Sequence, residues 1–140
     1  MDKKIIGYTT GVFDMFHIGH LNILRRAKER CDYLVVGVST DELVMDYKNK
    51  CPIIPFEQRA EIVSAIKYVD KVVPQTSMDK LAAHEEIGFN VVFHGDDWKG
   101  SDMYNELAEK FKEVGVEMVF LPHTDGISST ILSEKRNENR

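Results

Sequence analysis

Two histidines three residues apart, His17 and His20, follow a short apolar run and the turn Gly11-Val12-Phe13-Asp14. At that spacing in a helix they share one face, so both rings can point at whatever lies above the turn. Gly11 permits close backbone approach after the strand, and the free N–H groups at the start of the following helix form a ready anion site. Gly19, between the histidines, leaves space for a ligand. Two imidazoles able to donate hydrogen bonds beside such a turn suit the stabilisation of charge on a phosphorus undergoing displacement. Two other chemistries fit the same residues. The rings could serve only as caps and packing, or Asp14, His17 and His20 at successive spacings of three could ligate a metal, as in a hydrolase. Neither the dinucleotide fingerprint G-x-G-x-x-G nor the P-loop G-x-x-x-x-G-K-[ST] occurs.

Other segments carry candidate chemistry. Lys48 and Lys50 lie in Met45 to Pro55, a stretch with two prolines that reads as a loop facing a substrate. Arg59 stands near the start of a helix, where it reads either as a phosphate contact or as a surface salt bridge. Asp96 and Asp97 follow a strand and could bind Mg²⁺ or a nucleoside, while Trp98 offers an aromatic face. Gly126-Ile127-Ser128-Ser129-Thr130 reads as a turn opening a final helix with Ser128 at its N-cap. Its three hydroxyls also suit a triphosphate. His84 sits on a polar helix face and needs no role, and the sequence assigns none to His94.

These residues must be positioned by an alternating framework. Short runs rich in β-branched residues, Lys4 to Tyr8, Tyr33 to Val38, Lys71 to Val73, Asn90 to His94 and Glu117 to Leu121, read as buried parallel strands. Between them Ile18 to Arg30, Phe56 to Tyr68, Met78 to Glu86 and Met103 to Val114 read as amphipathic crossover helices. That alternation predicts a doubly wound, five-stranded α/β sheet with ligands at the carboxyl ends of the strands. The whole of residues 1–140 is expected to form one domain, with 134–140 as a frayed tail.

Composition narrows the partners. Eighteen Lys and Arg against 23 Asp and Glu give a net charge of -5, the opposite of the basic balance that nucleic-acid binding requires. No apolar run approaches the roughly 20 residues of a membrane span, and none resembles a signal peptide. Cys31 and Cys51 stand alone and read as reduced thiols of a cytoplasmic protein.

Gly11-Val12-Phe13-Asp14 followed by His17-Ile18-Gly19-His20 resembles the phosphate-binding and H-x-G-H signature of the nucleotidyltransferase superfamily. Thr124 to Thr130 resembles its R-T-x-G-I-S-T-[ST] motif. Arg59, Tyr68-Val69-Asp70-Lys71-Val72 and Gly95-Asp96-Asp97-Trp98 are similar to segments of its cytidylyltransferase branch. The resemblance covers nearly the whole chain and is nearest the glycerol-3-phosphate cytidylyltransferases. It implies a Rossmann-like nucleotidyltransferase fold and transfer of CMP from CTP to a small alcohol phosphate. Glycerol 3-phosphate is the first candidate, giving CDP-glycerol, a teichoic acid or polysaccharide precursor, and pyrophosphate. Phosphocholine, another polyol phosphate, or ATP in place of CTP are the alternatives. The resemblance also implies Mg²⁺ on the triphosphate and a homodimer, with no metal site of the protein's own. It makes His17, His20, Lys48, Lys50 and Arg59 the catalytic residues. Gly11, Val12, Phe13, Asp14, Asp96, His123, Thr124, Gly126, Ile127, Ser128 and Thr130 would contact the nucleotide, and Lys50, Lys67 and Trp98 the acceptor. His123 and Lys67 stand where the family has arginine, and Val12 where it has threonine.

Overall fold

The computed structural model describes residues 4–95 and 101–122. Strands β1 (Ile6–Gly11), β2 (Tyr33–Ser39), β3 (Lys71–Gln75), β4 (Val91–Gly95) and β5 (Glu117–Leu121) form one parallel sheet in the order β3-β2-β1-β4-β5. The chain winds outward from β1 through β2 to β3, then crosses to β4 and β5. The order therefore reverses between β1 and β4, and the crevice at their carboxyl ends is where ligands sit in this class of sheet.

Burial on both faces explains why the strands are apolar runs rather than alternating ones. Helices α1 (Ile18–Glu29) and α3 (Phe56–Ser64) cover one face, where Leu24, Ala27 and Val63 pack on Leu34, Val36, Val38 and Phe93. Helices α4 (Lys80–Ile87) and α5 (Asp102–Glu113) cover the other, where Leu81 and Phe111 pack with Tyr8, Val35, Phe89 and Val92. Each fully buried side chain of this kind contributes roughly 1.5–3 kcal/mol.

The expected doubly wound sheet is present, with local differences in its elements, among them α3, which ends at Ser64 rather than Tyr68, and β3, which runs on to Gln75. The first strand runs on to Gly11, taking in Thr9 and Thr10. The fourth helix begins two residues later than expected because Asp79 caps it, its Oδ1 accepting from Ala82 N at 3.1 Å. The stretch expected as a loop holds the end of a further helix, α2 (Asp41–Lys48). Thr40 Oγ1 accepts from Leu43 N at 3.2 Å, Asp41 and Glu42 favour the positive end of the dipole, and Asn49 closes the helix with a φ of 54°. Only residues 49–55 remain as the connector. No helix among the described residues is long and apolar enough to cross a membrane.

Candidate active site

The β1–α1 turn is strained and then clamped. Phe13 and Met15, neither of them glycine, adopt φ values of 54° and 50°. Each such conformation costs on the order of 1–3 kcal/mol and persists only where surrounding structure enforces it. Arg59 supplies part of that enforcement. It is only 1% exposed, and it makes four hydrogen bonds: Nε to Ile54 O (2.8 Å), Nη1 to Val12 O (2.7 Å) and Ser39 O (2.8 Å), and Nη2 to Asp41. Asp14 supplies the rest, its two carboxylate oxygens accepting from Ile53 N and Ile54 N at 2.8 Å each. Turn, connector and the start of α2 thus form one hydrogen-bonded unit. Arg59 is not the surface ion pair that one reading of the sequence allowed; it is buried among carbonyls of the turn and its neighbours. A Cβ at Gly11 would lie 2.9 Å from the Phe13 ring, so the missing side chain makes room for Phe13.

The two histidines sit on this unit. His17 is the N-cap of α1, and its Nδ1 accepts from Gly19 N at 3.1 Å. His20 Nδ1 accepts from His17 N at 3.2 Å. The rings stack with centroids 3.8 Å apart, and His20 is flanked by Phe13 and Phe16 at 5.4 and 5.3 Å. Burial, reinforced by the charge of His17 and only partly opposed by Asp14, pushes the His20 pKa down to about 3. Burial lowers His17 as well. Both rings are therefore neutral near pH 7, and an accepting Nδ1 leaves the proton on Nε2 in each. The His17 Nε2 is shielded and has no protein partner. Two fixed N–H donors result, able to meet negative charge as it develops. The same hydrogen bonds disfavour the metal-ligand reading of Asp14, His17 and His20, since both Nδ1 atoms and both Asp14 oxygens are engaged by backbone N–H groups. Among the described residues no group of three or more His, Cys, Asp or Glu converges on a metal position.

Lys48 closes α2, with its Nζ 5.6 Å from the Tyr47 ring, and Lys50 follows the Asn49 cap. Burial and the neighbouring Lys50 charge lower the Lys48 pKa, while Asp14 raises it. The ammonium groups are thus close enough to repel one another beside the turn, an arrangement that an anion would relieve. Lys67 lies elsewhere. It follows α3 on the way to β3, exposed, with its Nζ 5.2 Å from Tyr68. Asp70, three residues on, is bonded to Leu34 N near the start of β2. Lys67 is consequently at the amino-terminal edge of the sheet and is not brought together with His17 and His20: a crossover helix must run back to that edge before the next parallel strand begins. Asp96, Asp97, Trp98, His123, Thr124, Gly126, Ile127, Ser128 and Thr130 lie outside the described residues.

Sequence reasoning passed over the α4 side of the crevice. Lys80 is 6% exposed, its Nζ donates to Thr10 Oγ1 at 3.2 Å, and no carboxylate among the described residues pairs with it. Burial pushes its pKa down to about 8. His94, 8% exposed, is lowered to about 3 by burial and by the Lys80 charge, and its Nε2 has no partner. One signal for Lys80 was available: a cation at the first position of a helix opposes the helix dipole and needs another reason to be there.

A cytidylyltransferase-like family model matches residues 8–135. The glycerol-3-phosphate cytidylyltransferase of Bacillus subtilis (strain 168) is 39% identical over 134 residues, covering 95% of this chain and 96% of that protein. The FAD synthase of Pyrococcus horikoshii is 39% identical over 128 residues, covering 87% and 83%. A lipopolysaccharide core biosynthesis protein from Thermoplasma volcanium superposes with a TM-score of 0.77 at 30% identity, covering 88% of this chain and all of that one. With the strained turn, its paired imidazoles and the β1–β4 crevice in place, these matches identify the chain as a nucleotidyltransferase of the cytidylyltransferase-like family.

Proposed function

We propose that the chain transfers CMP from CTP to the phosphate of a small alcohol phosphate, glycerol 3-phosphate first among them, releasing pyrophosphate. The observation that carries the chemistry is the pair of neutral, Nδ1-anchored imidazoles, of which His17 keeps an Nε2 with no protein partner. The choice of CTP and of glycerol 3-phosphate rests on the relatives, of which the Bacillus subtilis enzyme is nearly coextensive with this chain.

The acceptor phosphate attacks the α-phosphorus and the pyrophosphate leaves from the opposite side. An ionised phosphate oxygen needs no general base, so positioning and electrostatics supply the acceleration. His17 and His20 donate to the charge on the transferring phosphoryl and leaving group, each such donor being worth about 10²–10³ in rate. Lys48, at the end of α2, and Lys50, in the connector, meet the triphosphate, and Mg²⁺ enters on the triphosphate as part of the substrate. Across the crevice Lys80, a buried cation lacking a carboxylate, takes the acceptor phosphate.

The test supplies CTP or ATP, Mg²⁺ and a panel of alcohol phosphates, following pyrophosphate and the nucleotide product together. CDP-alcohol and pyrophosphate in equal amounts, with CTP well ahead of ATP, are expected. Hydrolysis without an acceptor, or transfer from ATP alone, overturns this reading.

A further inference from the structure

β1 and β4 pair in register through Gly7 and Val91, Tyr8 and Val92, and Thr9 and Phe93. Thr10 and His94 come next, on the face shared with α4 and α5, because Tyr8 and Val92 two residues back belong to that core. Lys80 reaches Thr10 from the first turn of α4. The His94 ring stands edge-on to Tyr104 with centroids 4.9 Å apart and lies 6.1 Å from Phe120. An apolar side chain of similar size would fill this aromatic surround without burying a nitrogen. Instead the site holds a shielded Nε2 with no partner, in a residue more than nine-tenths buried. Native folds rarely leave such an atom unmatched, so a group brought by a ligand is the natural complement.

We propose that His94 is a specificity-determining residue that hydrogen-bonds a carbon-borne hydroxyl of the acceptor, selecting polyol phosphates over alcohol phosphates that lack the hydroxyl. The proposal rests on the CMP-transfer reading and on Lys80 holding the acceptor phosphate. With the phosphate there, the next atoms of the acceptor face the end of β4. A neutral imidazole nitrogen either donates or accepts, and a hydroxyl can answer in both senses. A quaternary ammonium offers neither proton nor lone pair, and the Lys80 charge repels it. A site built to hydrogen-bond a substrate hydroxyl discriminates strongly against the analogue without one, because its own polar atom is then left unpaired.

The experiment compares kcat/KM for glycerol 3-phosphate, propyl phosphate and phosphocholine in wild type, His94→Phe, His94→Leu and His94→Gln, with KM for CTP measured alongside. Wild type should favour glycerol 3-phosphate over propyl phosphate by at least about 10²-fold. Either apolar variant should reduce that ratio by about tenfold or more while KM for CTP stays the same, and His94→Gln should retain most of it. An unchanged ratio in a folded apolar variant overturns the proposal. Failure of both apolar variants to fold overturns it as well, since His94 would then be a packing residue. If wild type transfers CMP to no alcohol phosphate, the parent reading falls and takes this one with it; if it transfers to all three equally, only the role of His94 falls.

Discussion

On the α1 side of the crevice, His17 and His20 are each fixed through Nδ1 by a backbone N–H, and Arg59 and Asp14 clamp the strained turn that carries them. On the α4 side, Lys80 holds a neutral hydroxyl and His94 leaves Nε2 without a partner. The first side is complete before any substrate arrives, and preorganised donors of this kind act on charge that develops in every turnover. The second has a polar atom left for what enters it, and on the proposed reading its groups discriminate among ligands. On the proposed reading, chemistry and choice of acceptor are thus carried by opposite faces of one sheet.

The largest effect should come from removing the clamp. Arg59→Ala leaves Val12 O, Ser39 O, Ile54 O and Asp41 without their partner in a buried setting. A loss of about 3–5 kcal/mol in unfolding free energy is expected, read from denaturant midpoints at constant slope. A loss below about 1 kcal/mol would show that the turn holds its strained shape without Arg59. Next in size is His20→Ala, which should lower kcat at least about 10²-fold with the fold retained, since one charge-stabilising donor is lost. Near-normal turnover would move the chemistry away from this side altogether. Lys80→Met should be smaller and of a different kind: KM for the alcohol phosphate rises about 10- to 100-fold while KM for CTP changes little. If KM for CTP rises instead, the two sides are not divided as described.

Much of the first side was legible in the sequence. The alternation of β-branched runs with helical periodicity is a backbone property, and it predicted the sheet. The Gly-x-x-Asp turn and the H-x-x-H spacing are local, so residue types at fixed offsets were enough to place His17 and His20 together. What escaped was set by contacts across the chain. Met45 to Pro55 looked like a loop because its prolines and lysines outweighed Thr40, whose cap begins α2 upstream of that window. Arg59 was read as a phosphate contact or, failing that, a surface ion pair, because nothing local tells that Val12 and Ser39, 47 and 20 residues away, turn their carbonyls toward it. Lys80 and His94 belong to different elements and meet only where β1 and β4 pair, so no spacing between them could have been read.

The smallest predicted effect distinguishes the sides by their response to alkali. Burial lowers Lys80 from 10.5 to about 8 in the fold, so the unfolded chain keeps this proton to higher pH. Between those two values the unfolded state binds more protons than the native state, and unfolding free energy must rise with pH. The contribution is complete above 10.5 and is lost as pH falls through about 8. Going from about pH 7.5 to about pH 9, only the first part of this window is crossed, and the gain due to Lys80 is about 1 kcal/mol. Lys48, lowered in the same direction, adds to the observed slope, so the decisive quantity is the difference between wild type and Lys80→Met. Tyr8, raised to about 12 by burial and by Glu86, acts oppositely but only above about pH 10. The measurement is therefore a pair of urea titrations at the two lower pH values. The wild-type gain should exceed that of Lys80→Met by about 1 kcal/mol, and equal gains would mean that Lys80 keeps its proton in the fold, hydrated or paired, and is not a buried cation waiting for a phosphate.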